Sequence, residues 1–223
     1  LAGSESAYKA AFQQAGIIRA GSMEDLFDYA LGFAYQPALR GDRIGIVTNA
    51  GGPGILATDA LERAGLEIPR LTPETAQALA EYLPGAASVA NPVDVLGDAF
   101  ADRYERAIEM VLADENIDAV IVILTPQAMT EIEKTAEAVG RLAQRSDKPV
   151  LGCFMGEARI EAGVEILRQH GVPNYSFPER AAGTLAAMSA YRREQQRPIV
   201  EPERCEACIP AVRELFDRVH SEG

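Results

Sequence analysis

Between residues 43 and 195, short apolar runs alternate with stretches whose apolar residues recur every three or four positions. "RIGIVT" (43–48), "DAVIVIL" (118–124) and "PVLGCF" (149–154) are continuous apolar runs. That is the pattern of strands covered on both faces. "LEIP" (66–69) and "PNYS" (173–176) read as two shorter strands. The helical stretches are 53–65, 72–83, 101–115, about 129–145, about 157–170 and about 178–195. Pro53 near the start and Gly65 past the end bound the first of these. Thr72 and Pro73 supply an N-cap and a first-turn proline for the second. In 101–115, Tyr104, Ile108, Val111 and Leu112 share one face. Strand and helix in alternation predict an α/β fold with a doubly wound parallel sheet. Such sheets take ligands at the carboxyl ends of their strands, here the loops Asn49–Gly54, Thr125–Met129 and Met155–Glu157.

The flanks read differently. Residues 1–36 echo the end of the α/β pattern: Gly16 and Gly171 each follow a helix and precede a short strand and a further helix, with Glu24 or Glu179 in its first turn. The early copy therefore reads as the helix-strand-helix close of a preceding domain. Its strand is "IIRA" (17–20), and it is expected to dock outside the main sheet or against a second molecule in a homodimer. The main domain is 37–195. The segment 196–223, with its proline-rich "QQRPIVEPERCEACIP", reads as a linker and a short helix. The abrupt start without Met suggests a piece of something longer.

Charge narrows the partners. Lys and Arg number 21 against 33 Asp and Glu, a net charge of −12. No broad basic surface is on offer for nucleic acid or an anionic membrane. No run reaches the 18 or so apolar residues of a membrane span, and no signal peptide opens the chain. Three cysteines, Cys153, Cys205 and Cys208, fit a reducing compartment. Cys205-x-x-Cys208 lacks the second pair a zinc site needs, so no metal is expected.

The chemistry concentrates in "IVTNAGGPGILATDALERAG" (46–65), where a strand hands over to a helix through Ala50-Gly51-Gly52-Pro53-Gly54. Bare backbone at a helix N-terminus exposes N–H groups to an anion. A nucleotide-binding P-loop is ruled out because its lysine is missing. A dinucleotide fingerprint is formally met by Gly52, Gly54 and Ala57, but Pro69 and Arg70 stand where its acidic residue belongs. Two readings remain open: a helix end aimed at a phosphate carried by another group, and a tight turn that serves only packing.

Over essentially its whole length, the chain resembles NDP-forming acyl-CoA synthetases, relatives of succinyl-CoA synthetase. The pair "TNAGGPG" (48–54) and "NPVD" (91–94) carries the resemblance. The resemblance implies a flavodoxin-like, succinyl-CoA synthetase-type domain. In that family a phosphohistidine links acyl phosphate, coenzyme A and nucleotide, and the N-termini of two helices cradle it. The helix at Pro53 resembles the second of these. Asn49, Ala50, Gly51, Gly52, Pro53 and Gly54 are then expected to bind the phosphohistidine. Asn91 and Asp94 would support the loop, Asp94 by accepting backbone N–H bonds. The resemblance places the histidine just before Leu1, so no catalytic residue is expected here, and His170 reads as a helix-end cation. The partners would be the phosphohistidine, CoA-binding and ATP-grasp domains of a cytoplasmic ligase. CoA, ADP/ATP or GDP/GTP, and Mg²⁺ would bind there and not to this chain. The alternative is a stand-alone flavodoxin-like binding or interaction module.

Overall fold

The computed structural model describes residues 4–198 and 209–222. Three of the apolar runs form the strands β1 (Ile44–Thr48), β3 (Ala119–Leu124) and β4 (Val150–Phe154), and every residue in them is buried. A two-residue edge strand, β2 (Val93–Asp94), joins them in the order β2-β1-β3-β4, all parallel. Parallel neighbours need long crossovers. These are supplied by α3 (Gly51–Arg63) with α4 (Pro73–Tyr82), then α5 (Ala101–Ala113), then α6 (Ile132–Arg145). After β4 come a 3-10 turn (Glu157–Arg159), α7 (Glu161–Gln169) and α8 (Pro178–Gln195).

Side chains alternate across the strands and feed two cores. Ile44, Ile46, Ile121, Ile123 and Leu151 pack with Ala57 and Leu61 of α3 and with Leu185 and Met188 of α8. Val47, Val120, Val122 and Leu124 face Leu79, Tyr104, Ile108, Val139 and Leu167 of α4 to α7. The result is the doubly wound, flavodoxin-like α/β fold. Its fifth strand is reduced to one bridge, Gly152 to Asn174.

Several expected elements are corrected. "PNYS" and "LEIP" form no strands; each makes a single bridge, the second between Glu67 and Arg43. β2 was not anticipated, because Pro92 and a length of two residues hide it within a loop. The helix expected from Pro53 begins at Gly51, and the one expected from about 129 begins at Ile132. In the N-terminal segment, α1 (Glu5–Gln14) and α2 (Met23–Tyr35) flank "IIRA", but residues 17–20 are not a strand. A strand needs a neighbour for its N–H and C=O groups, and among the described residues no strand lies beside 17–20. The helix that follows 196 is α9 (Ile209–Glu222). Cys205 and Cys208 lie outside the described residues.

α2 packs on the outer side of α8, outside the sheet. Arg180 grips the buried Asp28 through two hydrogen bonds of 2.7 Å, and the Tyr175 hydroxyl donates to the Asp28 carbonyl. Gln36 finishes the contact, donating to the Gly171 carbonyl at 2.7 Å and accepting from the Val150 N–H at 2.7 Å.

Candidate functional site at the start of α3

The sheet's order reverses at β1. The chain leaves β1 through α3 to reach β2 on one side, then crosses back through α5 to β3 on the other. Helices α3 and α5 lie on opposite faces, so the crevice between the carboxyl ends of β1 and β3 is the topological switch point. The start of α3 sits there.

Local chemistry bends the chain into that helix. The Thr48 hydroxyl accepts from the Ala50 N–H at 3.1 Å and donates to the Ala50 carbonyl at 2.9 Å. Ala50 is the N-cap and offers no side-chain cap. Gly54 N–H makes the first intrahelical bond, to the Ala50 carbonyl, and Pro53 has no N–H to give. The exposed amides of Gly51 and Gly52 are therefore the two donors this helix end presents, fewer than the four of a generic helix. A side chain at Gly52 would meet nothing within 4 Å, so the approach is open. Gly54 serves packing instead: a Cβ there would come 3.2 Å from Thr48 Cγ2 and 3.7 Å from Pro92. Ala57 is buried in the core.

The structure brings the NPVD segment beside this turn. Asn91 imitates a strand along the free edge of β1: its Oδ1 accepts from Ile46 N–H at 3.0 Å, and its Nδ2 donates to the carbonyls of Ile44 and Pro69. Asp94 accepts the Leu96 N–H at 2.9 Å through Oδ1 and so holds Leu96 at φ 71°. That left-handed conformation costs a non-glycine residue about 1–3 kcal/mol. Asp94 Oδ2 lies 3.7 Å from where a Gly51 Cβ would be, so a carboxylate borders the helix end. Behind it, the buried Tyr104 hydroxyl donates to the Ile123 carbonyl at 2.9 Å. Burial, and then the charge of Asp94, push this phenol well above its ordinary pKa.

Asn49 is in the loop but spends its side chain on the neighbouring strand end. Its Oδ1 accepts from the Thr125 N–H and hydroxyl, and its Nδ2 donates to the Thr125 carbonyl. The bracketing roles of Thr48 and Thr125 were not read from the sequence. Thr48 carried a local signal, a Thr-x-x turn before glycines; Thr125 carried none, because its partner is 76 residues away. Elsewhere, His170 closes α7 and packs over Gly140 with its Nδ1 buried and without a partner. Burial pushes the Cys153 thiol up to about 12, which leaves it unreactive. Among the described residues, no cluster of three or more His, Cys, Asp or Glu could hold a metal ion. No described helix is long and apolar enough to cross a membrane.

The chain has clear relatives among known proteins. The chain is 39% identical over 228 residues to acetate–CoA ligase [ADP-forming] I of Archaeoglobus fulgidus, covering 98% of this chain and 32% of that protein. It is 37% identical over 193 residues to the alpha subunit of acetate–CoA ligase [ADP-forming] II of Pyrococcus furiosus, covering 84% of this chain and 42% of that subunit. Among solved structures it resembles the dinucleotide forming acetyl-coenzyme A synthetase 1 of Ca. Korarchaeum cryptofilum in complex with phosphate and ADP. The TM-score is 0.80 at 32% identity, over 88% of this chain and 43% of that one. The chain thus spans less than half the length of each of these relatives. Residues 44–197 match the Ligase-CoA domain model, and the chain belongs to that family.

Proposed function

We propose that this chain is one part of an ADP-forming acyl-CoA synthetase, and that the start of α3 receives the phosphoryl group of a phosphohistidine supplied by another domain. The reaction is acyl-CoA + ADP + phosphate ⇌ carboxylate + ATP + CoA. The observation that carries this reading is the uncapped α3 end at the switch point, with Gly51 and Gly52 N–H groups open to solvent. The two sequence relatives named above are ADP-forming acetate–CoA ligases, and the structural neighbour is a dinucleotide forming acetyl-coenzyme A synthetase in complex with phosphate and ADP.

In this reading a helix end and its two amides stabilise phosphoryl charge without any proton transfer from this chain. Asn49, Ala50 and Pro53 shape the turn, and Asn91 and Asp94 hold it from the side. Residues 1–36 close a phosphohistidine domain, 37–195 form the ligase domain and 196–223 lead to an ATP-grasp domain. CoA, nucleotide and Mg²⁺ bind in those other domains of a cytoplasmic enzyme. The 223-residue chain alone is then inactive. The test is Gly52→Glu in the intact enzyme, followed with radiolabelled phosphate. Loss of phosphoenzyme supports the reading, and normal labelling of the histidine refutes it.

A further inference from the structure

We propose that Asn49 and Thr125 form a positioning bracket that couples the loop after β3 to the two free amides of α3. Asn49 is 4% exposed. It uses Oδ1 twice and Nδ2 once on Thr125, at 2.8–3.1 Å, so it has little left to offer a ligand. Its effect runs through the backbone: Asn49 sits between Thr48 and Ala50, which Thr48 Oγ1 ties together, and Gly51 follows directly. On the other side, Thr125 opens the loop to Glu131. Gln127 Nε2 donates to Thr125 Oγ1 at 3.4 Å, and Gln127 N–H donates to Thr130 Oγ1 at 2.9 Å. Met129 is exposed at the tip. The same loop reaches the β2 side, since a Cβ on Gly97 would lie 3.6 Å from Gln127 Cγ and 3.9 Å from the Asn49 carbonyl. Through these bonds the position of residues 125–130 and the aim of Gly51 and Gly52 are tied to each other. The coupling to phosphoryl binding rests on the proposed function; the bracket itself is tested without it.

The experiment uses the 223-residue chain with Thr125→Val, Asn49→Asp and, as a remote control, Ile108→Val. Thr125→Val keeps both backbone bonds to Asn49 and removes only the hydroxyl. Amide spectra without phosphate are recorded first. Both bracket variants are expected to shift the Gly51 and Gly52 resonances, and Ile108→Val to leave them in place even where it lowers Tm. Titration with inorganic phosphate then follows. The bracket variants are expected to bind about two- to fivefold more weakly, the scale of a whole helix-end contribution. Unmoved Gly51 and Gly52 resonances in both bracket variants, or equal shifts in the control, overturn the proposal. Absence of any phosphate response in the unaltered chain overturns the proposed function instead, because the phosphate-free shifts still report the bracket.

Discussion

Helices α3 and α4 follow each other in the chain and both carry a proline in the first turn, yet their N-termini are built to opposite ends. α4 is closed. The Thr72 hydroxyl accepts from Thr75 N–H at 3.3 Å. Asp114, 2% exposed, accepts from Thr72 N–H, Thr72 Oγ1 and Asn116 N–H at 2.8–3.0 Å. Glu74 adds an acidic residue to its first turn. α3 has an alanine at the cap, three glycines among its first four residues, no acidic residue in its first turn and no side-chain cap bond. Capping is worth about 1 kcal/mol, so α3 forgoes stability where α4 takes it. The difference is what the proposed phosphoryl role of α3 requires, a helix end whose first amides are left without a side-chain cap.

The largest effect is expected where the open end is blocked. Gly52→Glu in the intact enzyme places a carboxylate in front of both amides. Phosphoenzyme formation should fall by about a hundredfold or more, the scale of losing one preorganised donor. Its thermal stability should hold, because nothing stands within 4 Å of that position. At the closed end the pattern reverses. Asp114→Ala strands the Thr72 and Asn116 amides and should cost about 1–3 kcal/mol in urea unfolding, with phosphate binding at α3 unchanged.

Acid should also act through Asp114 at the closed end and through Asp118, which accepts from Arg43 before β1. Burial alone would raise the carboxyls of Asp114 and Asp118, but hydrogen bonds outweigh it and hold both below the ordinary value of 3.8. They come from Thr75, Thr72 and Asn116 to Asp114, and from Arg43 to Asp118. A folded-state pKa below the unfolded one adds stability that is complete above the unfolded value and is lost as pH falls through the folded one. Stability should therefore drop below about pH 4, with a shallower drop in Asp114→Ala, as unfolding midpoints across pH would show. The smallest effect is kinetic. The Gly51 and Gly52 amides should exchange hydrogen at close to free-peptide rates, and the Thr75 amide measurably more slowly.

The sequence made the sheet legible because both-face burial writes itself as unbroken runs such as "AVIVIL". It made the strand-to-helix turn at 49–54 legible because a run of small residues with a proline marks where a strand ends and a helix begins. β2 stayed hidden. Two residues cannot set up a period, and the edge of β1 is partly satisfied by the Asn91 side chain in place of a strand. "IIRA" misled because its apolar pattern is real but, among the described residues, no strand lies beside it. The Asn49–Thr125 and Thr72–Asp114 pairs were illegible for a simpler reason: each joins residues 42 or more apart, and one chain read in order carries no sign of such a meeting.

In the proposed function α3, unlike α4, begins in an open anion site. An amide spectrum of the 223-residue chain titrated with inorganic phosphate at constant pH and ionic strength tests it most directly. A helix end contributes about 0.3–1 kcal/mol at an exposed site, so binding should be in the millimolar range or weaker. The account predicts saturable shifts of Gly51 and Gly52, with Glu74 and Thr75 unmoved. Shifts of equal size at both helix ends, or none at Gly51 and Gly52, would contradict it.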